Sequence, residues 1–491
     1  MKRLVQALAA SAVLSCISTG AFAQSAYGCE DLDGFQALPS VEGSNGQFYR
    51  VDPELKNFFA FSDETVADVS RLSRELAKGG TTLVYLPIPP KAMVMTESLP
   101  QRAYDYGFDP NLATSVYEDT VRRLREAGVV VADARALLSS GSHSQTEPYF
   151  KTDYRLTAYG ARLAAQSVAQ AMTQGFAGGG GASLARAGFA RPPSGQVEID
   201  SDMRRILQRH CLIALPKVMT DVFDGEGTSA AVATETAPVA EATPTPAAAP
   251  APAARIGAPA PGFGLPQQRS AQAEQTGAAV VPQAGPAQVR AVGGGYGSKI
   301  ALVGTEYSAT PGIGFAEALQ SATGMPVEQL SLSGGGAFGA FSAYVTSDAF
   351  QKNRPNVIVW ENPIYNNLAQ FGDQPMRELI AAASGSCQTP LPVLGALDGT
   401  GATADLGGLD PSRDYTLFVD AGGAAAKVAQ FVFLSAEGFT RTKTVVRAHP
   451  DARTGRFYVP MTGLWPGGAR SVDIRLDTAM SGTPRVTACQ F

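Results

Sequence analysis

The chain has 491 residues, of which 45% are hydrophobic, enough apolar material for the cores of two or three domains. Its 39 basic and 44 acidic side chains leave a net charge of −5, a balance that argues against nucleic acid as a partner. Beyond the leader, no stretch is apolar for the length a bilayer span needs.

The first residues predict an export signal. Lys2 and Arg3 precede an apolar run from Leu4 to Ile17, and Ala21-Phe22-Ala23 offers a small-x-small cleavage site before Gln24. The signal peptide is expected over 1–23, with a mature protein soluble outside the cytoplasm. Val13-Leu14-Ser15-Cys16 loosely resembles a lipoprotein cleavage box, which Leu14 fits poorly.

A first α/β region is expected over 24–223. Val66, Val69, Leu72 and Leu76 recur at helical spacing after Ser62 as cap, and Gly79-Gly80 stops that helix. Thr82 to Leu86 reads as a buried strand. A second amphipathic run from Leu112 to Glu126 leads into Val129-Val130-Val131, and a third helix follows Thr157, with Leu163, Ala164 and Val168 on one face. Such alternation implies a mostly parallel sheet covered by helices.

Residues 224–296 collapse into Ala, Pro, Gly and Thr, a composition that cannot offset its own ordering entropy and is read as a disordered insertion. The α/β pattern resumes over 297–383, with strands at Lys299 to Val303 and Val357 to Trp360 and a helix from Phe315 to Gln320. Neither half has strands enough to stand alone, so both are expected in one sheet. A linker between independent domains is the other reading.

Over 384–491 the pattern turns to short strands of period two. They run Tyr415 to Val419, Gln430 to Leu434, Arg441 to Arg447, Arg456 to Val459 and Ser471 to Leu476, with turns of Gly, Pro and Asp between them. Val472, Ile474 and Leu476 face one way, which suits a β-sandwich.

Removing the leader removes Cys16 and leaves Cys29, Cys211, Cys387 and Cys489 of the 5 cysteines. Three pairings are possible, and pairing within each globular stretch is the simplest. With the 3 histidines scattered at 143, 210 and 449, no metal site and no cofactor are expected. Arg441, Lys443 and Arg447 share the parity of one strand face, with Arg456 and Trp465 close in sequence. A cationic face beside an aromatic platform suits an acidic polysaccharide, although a row of charges also serves simply as a solvated strand face.

Two segments frame a hydrolase-type site. Tyr149-Phe150-Lys151-Thr152-Asp153-Tyr154-Arg155-Leu156-Thr157 opens a helix, and Ala301-Leu302-Val303-Gly304-Thr305-Glu306-Tyr307-Ser308 is a strand entering a Gly-led turn. Together with Tyr27 to Leu32, Val84 to Met95 and Val357 to Asn362, these stretches resemble the alginate O-acetylation proteins, the AlgX and AlgJ group. The resemblance implies an SGNH hydrolase-like parallel sheet flanked by helices, a C-terminal carbohydrate-binding module, and a periplasmic role in exopolysaccharide O-acetylation beside other export proteins. It also implies a Ser-His-Asp triad.

Only Asp153 matches that triad. Arg155 stands where the family has His, and its guanidinium stays protonated, so it cannot accept a nucleophile's proton. Glu306 stands where the family has Ser and offers no hydroxyl for an acyl ester. The two substitutions predict an ion pair between Arg155 and Glu306, with Asp153 as a further acceptor, in a chain that binds polymer without turning it over. The alternative is an active O-acetyltransferase or esterase with a rearranged nucleophile, Ser308, served by His143. Ser308 also reads as the cap of the next helix. Leu332-Ser333-Gly334-Gly335-Gly336 is either an oxyanion-type pocket or an ordinary loop.

Overall fold

A computed structural model of the chain describes residues 25–56, 59–144, 146–175, 194–222, 299–397 and 399–490. The expected signal peptide and the whole of the Ala/Pro-rich stretch lie outside the described residues.

Five parallel strands make the central sheet: β1 (Thr82–Ile88), β2 (Val130–Val131), β3 (Ile300–Val303), β4 (Val327–Gln329) and β5 (Val357–Pro363). Their spatial order is β2-β1-β5-β3-β4. Strand β5 lies between β1 from the first half of the sequence and β3 from the second, so chain on both sides of the Ala/Pro stretch shares one sheet. Every residue of β3 and β5 is buried, the pattern of strands covered on both faces.

Helices supply that cover. Helix α1 (Asp63–Lys78) starts where the Ser62 hydroxyl accepts from the amide of Thr65, and its buried stripe includes Val66, Val69, Leu72 and Leu76. Helix α2 (Pro110–Glu126) is capped by Asp109. Helix α3 (Ala158–Gly175) packs against α5 (Phe315–Thr323), and α1 packs against α6 (Gln374–Ser384); the single turn α4 (Glu306–Ala309) lies between β3 and α5. At the centre, Trp360 is 1% exposed, meets Tyr85 and Phe341 edge-on, and donates its indole N–H to the carbonyl of Ala337.

The C-terminal region is a sandwich of two antiparallel sheets. Its strands are β6 (Thr389–Pro390), β7 (Val393–Leu397), β8 (Gly401–Asp405), β9 (Tyr415–Asp420), β10 (Val428–Leu434), β11 (Thr440–Val446), β12 (Arg456–Pro460), β13 (Ser471–Leu476) and β14 (Arg485–Gln490). One sheet runs β6-β14-β9-β12 and the other β7-β8-β13-β10-β11. Val472, Ile474 and Leu476 enter the shared core as their alternation requires.

The sandwich is fused to the α/β region. Phe418 and Tyr458, cross-strand partners on β9 and β12, are buried in the same apolar cluster as Leu379 and Trp360, and α6 packs on β12. Two disulfides close the structure, Cys29–Cys211 and Cys387–Cys489, the pairing within each globular stretch. They mark an oxidising environment. No helix among the described residues is long and apolar enough to cross a membrane.

Candidate functional site

The two framing segments meet at the C-terminal edge of the parallel sheet, where β3 ends in the turn 304–308 and segment 149–157 leads into α3. Segment 150–153 is held from below by Lys91. That side chain is 0% exposed, and its Nζ donates toward the carbonyls of Phe48, Phe150, Lys151 and Asp153 at 2.6–3.2 Å. Four inward carbonyls fix the path of the chain that presents Asp153.

Asp153 is 1% exposed and fully engaged. Arg155 approaches it side-on, Nε to Oδ1 at 2.9 Å and Nη2 to Oδ2 at 2.8 Å, while the Arg155 amide donates to Oδ1 at 2.8 Å and the Ser201 hydroxyl to Oδ2 at 2.6 Å. Burial alone would raise the Asp153 carboxyl; hydrogen bonds and charge from Arg155, with Ser201, outweigh it and hold the group below the usual carboxylate range. The remaining reach of the guanidinium goes from Nη1 to Thr310 Oγ1 at 2.9 Å and from Nη2 to the carbonyl of Asp200 at 2.8 Å.

The expected ion pair between Arg155 and Glu306 is therefore corrected: among the described residues Arg155 pairs with Asp153 alone. A carboxylate two residues away, already buried, presents both oxygens to the fork at little entropic cost, whereas Glu306 is half-buried and lies next to Tyr154, 152 residues from it in sequence. Glu306 Oε1 accepts instead from the Tyr154 hydroxyl at 3.1 Å. The Tyr154 ring covers the Arg50 guanidinium, 3.6 Å from the ring centre, and Arg50 pairs with buried Glu54 at 3.6 Å. The helix start and the strand turn are still tied, but through Arg155 and Thr310, whose hydroxyl donates to the Glu306 carbonyl at 2.6 Å.

Ser308 is not placed as a nucleophile. It is 1% exposed, and its Oγ lies 2.7 Å from Glu361 and 2.7 Å from Ser331 Oγ, with no histidine among its partners. His143 is exposed and stands 3.7 Å from Glu97. The helix cap is Thr305, whose hydroxyl accepts from the Tyr307 amide, and Ser308 lies inside α4. Gly304 is required by close approach: a Cβ there would stand 2.4 Å from Glu361 Oε2 and 2.6 Å from Ser308 Oγ. Gly334 to Gly336 line a cavity of about 210 Å³ against residues 444–449 of the sandwich.

Glu361 lies in the matching stretch Val357 to Asn362, but no motif gives it a role. It sits in β5, 0% exposed, and accepts from the Thr305 amide at 2.8 Å, the Thr305 hydroxyl at 2.9 Å and the Ser308 hydroxyl at 2.7 Å. Burial, opposed by those hydrogen bonds and reinforced by the Glu306 charge, pushes its carboxyl up to about 7. The one available signal was an acid continuing the apolar run Val357 to Trp360.

The five expected polysaccharide contacts separate. Arg441 and Lys443 do share a face, but it is the inner one, because they lie opposite the core residues Phe433 and Phe431. Strand β11 is the sheet edge, so the long side chains reach across: Arg441 to the Gly463 carbonyl, Lys443 Nζ to the carbonyls of Pro460 and Thr462 at 2.7 Å each. Burial lowers the Lys443 ammonium. Arg447 instead forms a buried pair with Glu378 of α6, and Arg456 pairs with Asp348 and Asp420. Both serve the junction with the α/β region. Trp465 lies beneath Arg441, 5.2 Å from ring centre to guanidinium, beside a hollow of about 630 Å³ also lined by Arg413, Tyr415 and Arg470. Among the described residues no group of three or more His, Cys, Asp and Glu is placed to hold a metal ion.

Comparison with known proteins bears on family and fold. The family described as SGNH hydrolase-like domain, acetyltransferase AlgX, matches residues 41–249 and 228–364. The alginate biosynthesis protein AlgX of Pseudomonas aeruginosa is 27% identical over 348 residues, 70% of this chain and 60% of that protein, so the match spans about three-fifths of the relative's length. The probable alginate O-acetylase AlgJ of Pseudomonas putida is 39% identical over 85 residues, 16% of this chain and 22% of that protein. The solved structure of Pseudomonas aeruginosa AlgX shares the fold, with a TM-score of 0.66 and 20% identity over 92% of this chain and 94% of that one.

Proposed function

The chain belongs to the SGNH hydrolase-like family of the acetyltransferase AlgX, a family of alginate biosynthesis and O-acetylation, and from that premise we propose that it binds an acidic exopolysaccharide during export without transferring acetyl groups itself. The observation that supports this most directly is the full engagement of Arg155. All its side-chain nitrogens donate, to Asp153, Thr310 and the Asp200 carbonyl, so the position of the family's base holds a permanent cation with no lone pair to accept a proton. Loss of base and nucleophile together leaves only what binding and backbone donors supply.

The rearranged-nucleophile reading finds little support, since Ser308 is buried and its hydroxyl is already held by Glu361 and Ser331. For the polymer, the hollow beside Trp465, Arg441, Arg413 and Arg470 combines an aromatic face with guanidinium groups, the chemistry that stacks on a sugar ring and meets a uronate carboxylate. Two disulfides and the leader sequence favour the periplasm, where other proteins of the export and acetylation machinery would be its neighbours.

The test uses the full chain. Titration with a polyuronate is expected to show saturable binding, while a chromogenic acetyl ester is expected to turn over no faster than in buffer. Ester turnover that disappears in Ser308→Ala would sink the non-catalytic reading, and absence of saturable binding would sink the polymer-binding one.

A further inference from the structure

The turn that presents Glu306 rests on a buried carboxyl with no cation beside it. Among the described residues no Lys, Arg or His forms an ion pair with Glu361; the titratable groups that face it are Glu306 on the turn and the Tyr85 phenol on β1. On β4 and the loop after it, Gln329 donates to the Ser308 carbonyl and Ser331 meets the Ser308 hydroxyl, while the charged Glu328 is paired with Lys299. Such a carboxyl must be fully satisfied by hydroxyls and amides in whichever protonation state it adopts.

The contacts allow both states. Ser308 Oγ stands 2.7 Å from Glu361 Oε2 and 2.7 Å from Ser331 Oγ, and Ser331 Oγ stands 3.4 Å from the Leu302 carbonyl. Each serine has one hydrogen, so the chain can point only one way at a time. With Glu361 ionised, Ser331 donates to Ser308 and Ser308 donates to the carboxylate. With Glu361 protonated, its hydroxyl donates to Ser308, Ser308 turns its hydrogen to Ser331, and Ser331 turns its own to the buried Leu302 carbonyl or, on its half-buried side, to water. No heavy atom moves, and the proton that leaves the carboxyl at one end corresponds to one released to solvent at the other.

We infer that Glu361, Ser308 and Ser331 form a reversible hydroxyl relay that conducts a proton between the interior and solvent and sets how firmly the turn 304–308 is held. The Thr305 amide donates to Glu361 in both states, at 2.8 Å here, but more strongly to a carboxylate than to a neutral acid. Acidification therefore loosens the turn. Burial, by raising the carboxyl to about 7, brings the switch into the range an exported protein meets.

The experiment is carbon-13 carboxyl NMR on the full chain with labelled glutamate, the Glu361 signal being assigned by its loss in Glu361→Gln. A midpoint near neutrality is expected, together with Thr305 amide exchange that speeds up on acidification once intrinsic exchange is corrected. Ser331→Ala removes the outward end of the relay and its hydrogen bond to Ser308 in both states, so the midpoint should move by roughly half a unit to one unit. A midpoint in the ordinary carboxylate range, or one unmoved by Ser331→Ala, overturns the relay. If Glu361→Gln does not fold, the resonance that moves in Ser331→Ala makes the assignment, and the absence of any such resonance counts against the proposal.

Discussion

Arg155 and Asp153 are two residues apart and meet edge to edge, Nε to Oδ1 at 2.9 Å and Nη2 to Oδ2 at 2.8 Å, so the acid left from a triad neutralises the cation that replaced its base. A guanidinium fork and a carboxylate match in shape, and both lie in a setting where an unpaired charge is costly.

Reversing the two substitutions should restore chemistry. Arg155→His with Glu306→Ser would let Asp153 orient an imidazole toward a hydroxyl at the head of α4, and hydrolysis of a chromogenic acetyl ester is expected to rise on the order of a hundredfold over the unchanged chain. Each single change should stay at the baseline. An unchanged chain that already matches the double variant would contradict the account of the site.

Removing only the cation should be costly to stability. Arg155→Met leaves Asp153 buried and unpaired, and a loss of about 3 kcal/mol at pH 7 is expected in urea denaturation. The folded-state value of Asp153 lies below its unfolded value near 3.9, so its contribution is present above about pH 4 and is lost as pH falls through the lower folded value. That part of the acid limb should be missing from the Arg155→Met curve.

The buried pair of Glu378 and Arg447 behaves differently because it joins two regions. Glu378 is 0% and Arg447 8% exposed, so either Glu378→Ala or Arg447→Ala should lower stability by about 3 to 5 kcal/mol. Glu378→Met combined with Arg447→Leu should recover most of that loss. Calorimetry on the two alanine singles and on Glu378→Ala combined with Arg447→Ala closes the cycle, and additive losses would show that the two residues do not act as a pair.

Helix and strand positions were readable in both regions because burial imposes a period on apolar residues: the α1 stripe, the Ser62 cap and the alternation of β13 in the sandwich all stand where the pattern puts them. The site was readable only in part. The segment around Asp153 and the Gly304 turn announce themselves, but partner choice does not, since Arg155 could reach a near or a distant carboxylate and the near one costs less entropy. Parity placed Arg441 and Lys443 on one face without saying that β11 is an edge, where an inward charge can still find carbonyls. Lys91 and Glu361 gave almost no warning, because a charge held by backbone groups from remote segments has no local spacing to betray it.

Trp465→Ala should weaken polyuronate binding by roughly tenfold, about 1.4 kcal/mol for one lost stacking platform. Arg441→Ala should weaken it too, more at low salt than at high. Arg456→Ala should lower the melting temperature and leave affinity unchanged, as suits a residue pairing with Asp348 and Asp420. An affinity that falls in Arg456→Ala and not in Trp465→Ala would move the polymer to another surface.

Phe418, Tyr458 and Cys489 lie in the interior shared with the α/β region, which makes the β-sandwich a poor candidate for transplantation. Cut away at residue 387, it would bare an aromatic flank and leave Arg447 without Glu378, and such a fragment would tend to aggregate before it met any sugar. Chimaeras that exchange this region between relatives should therefore take α6 along with it.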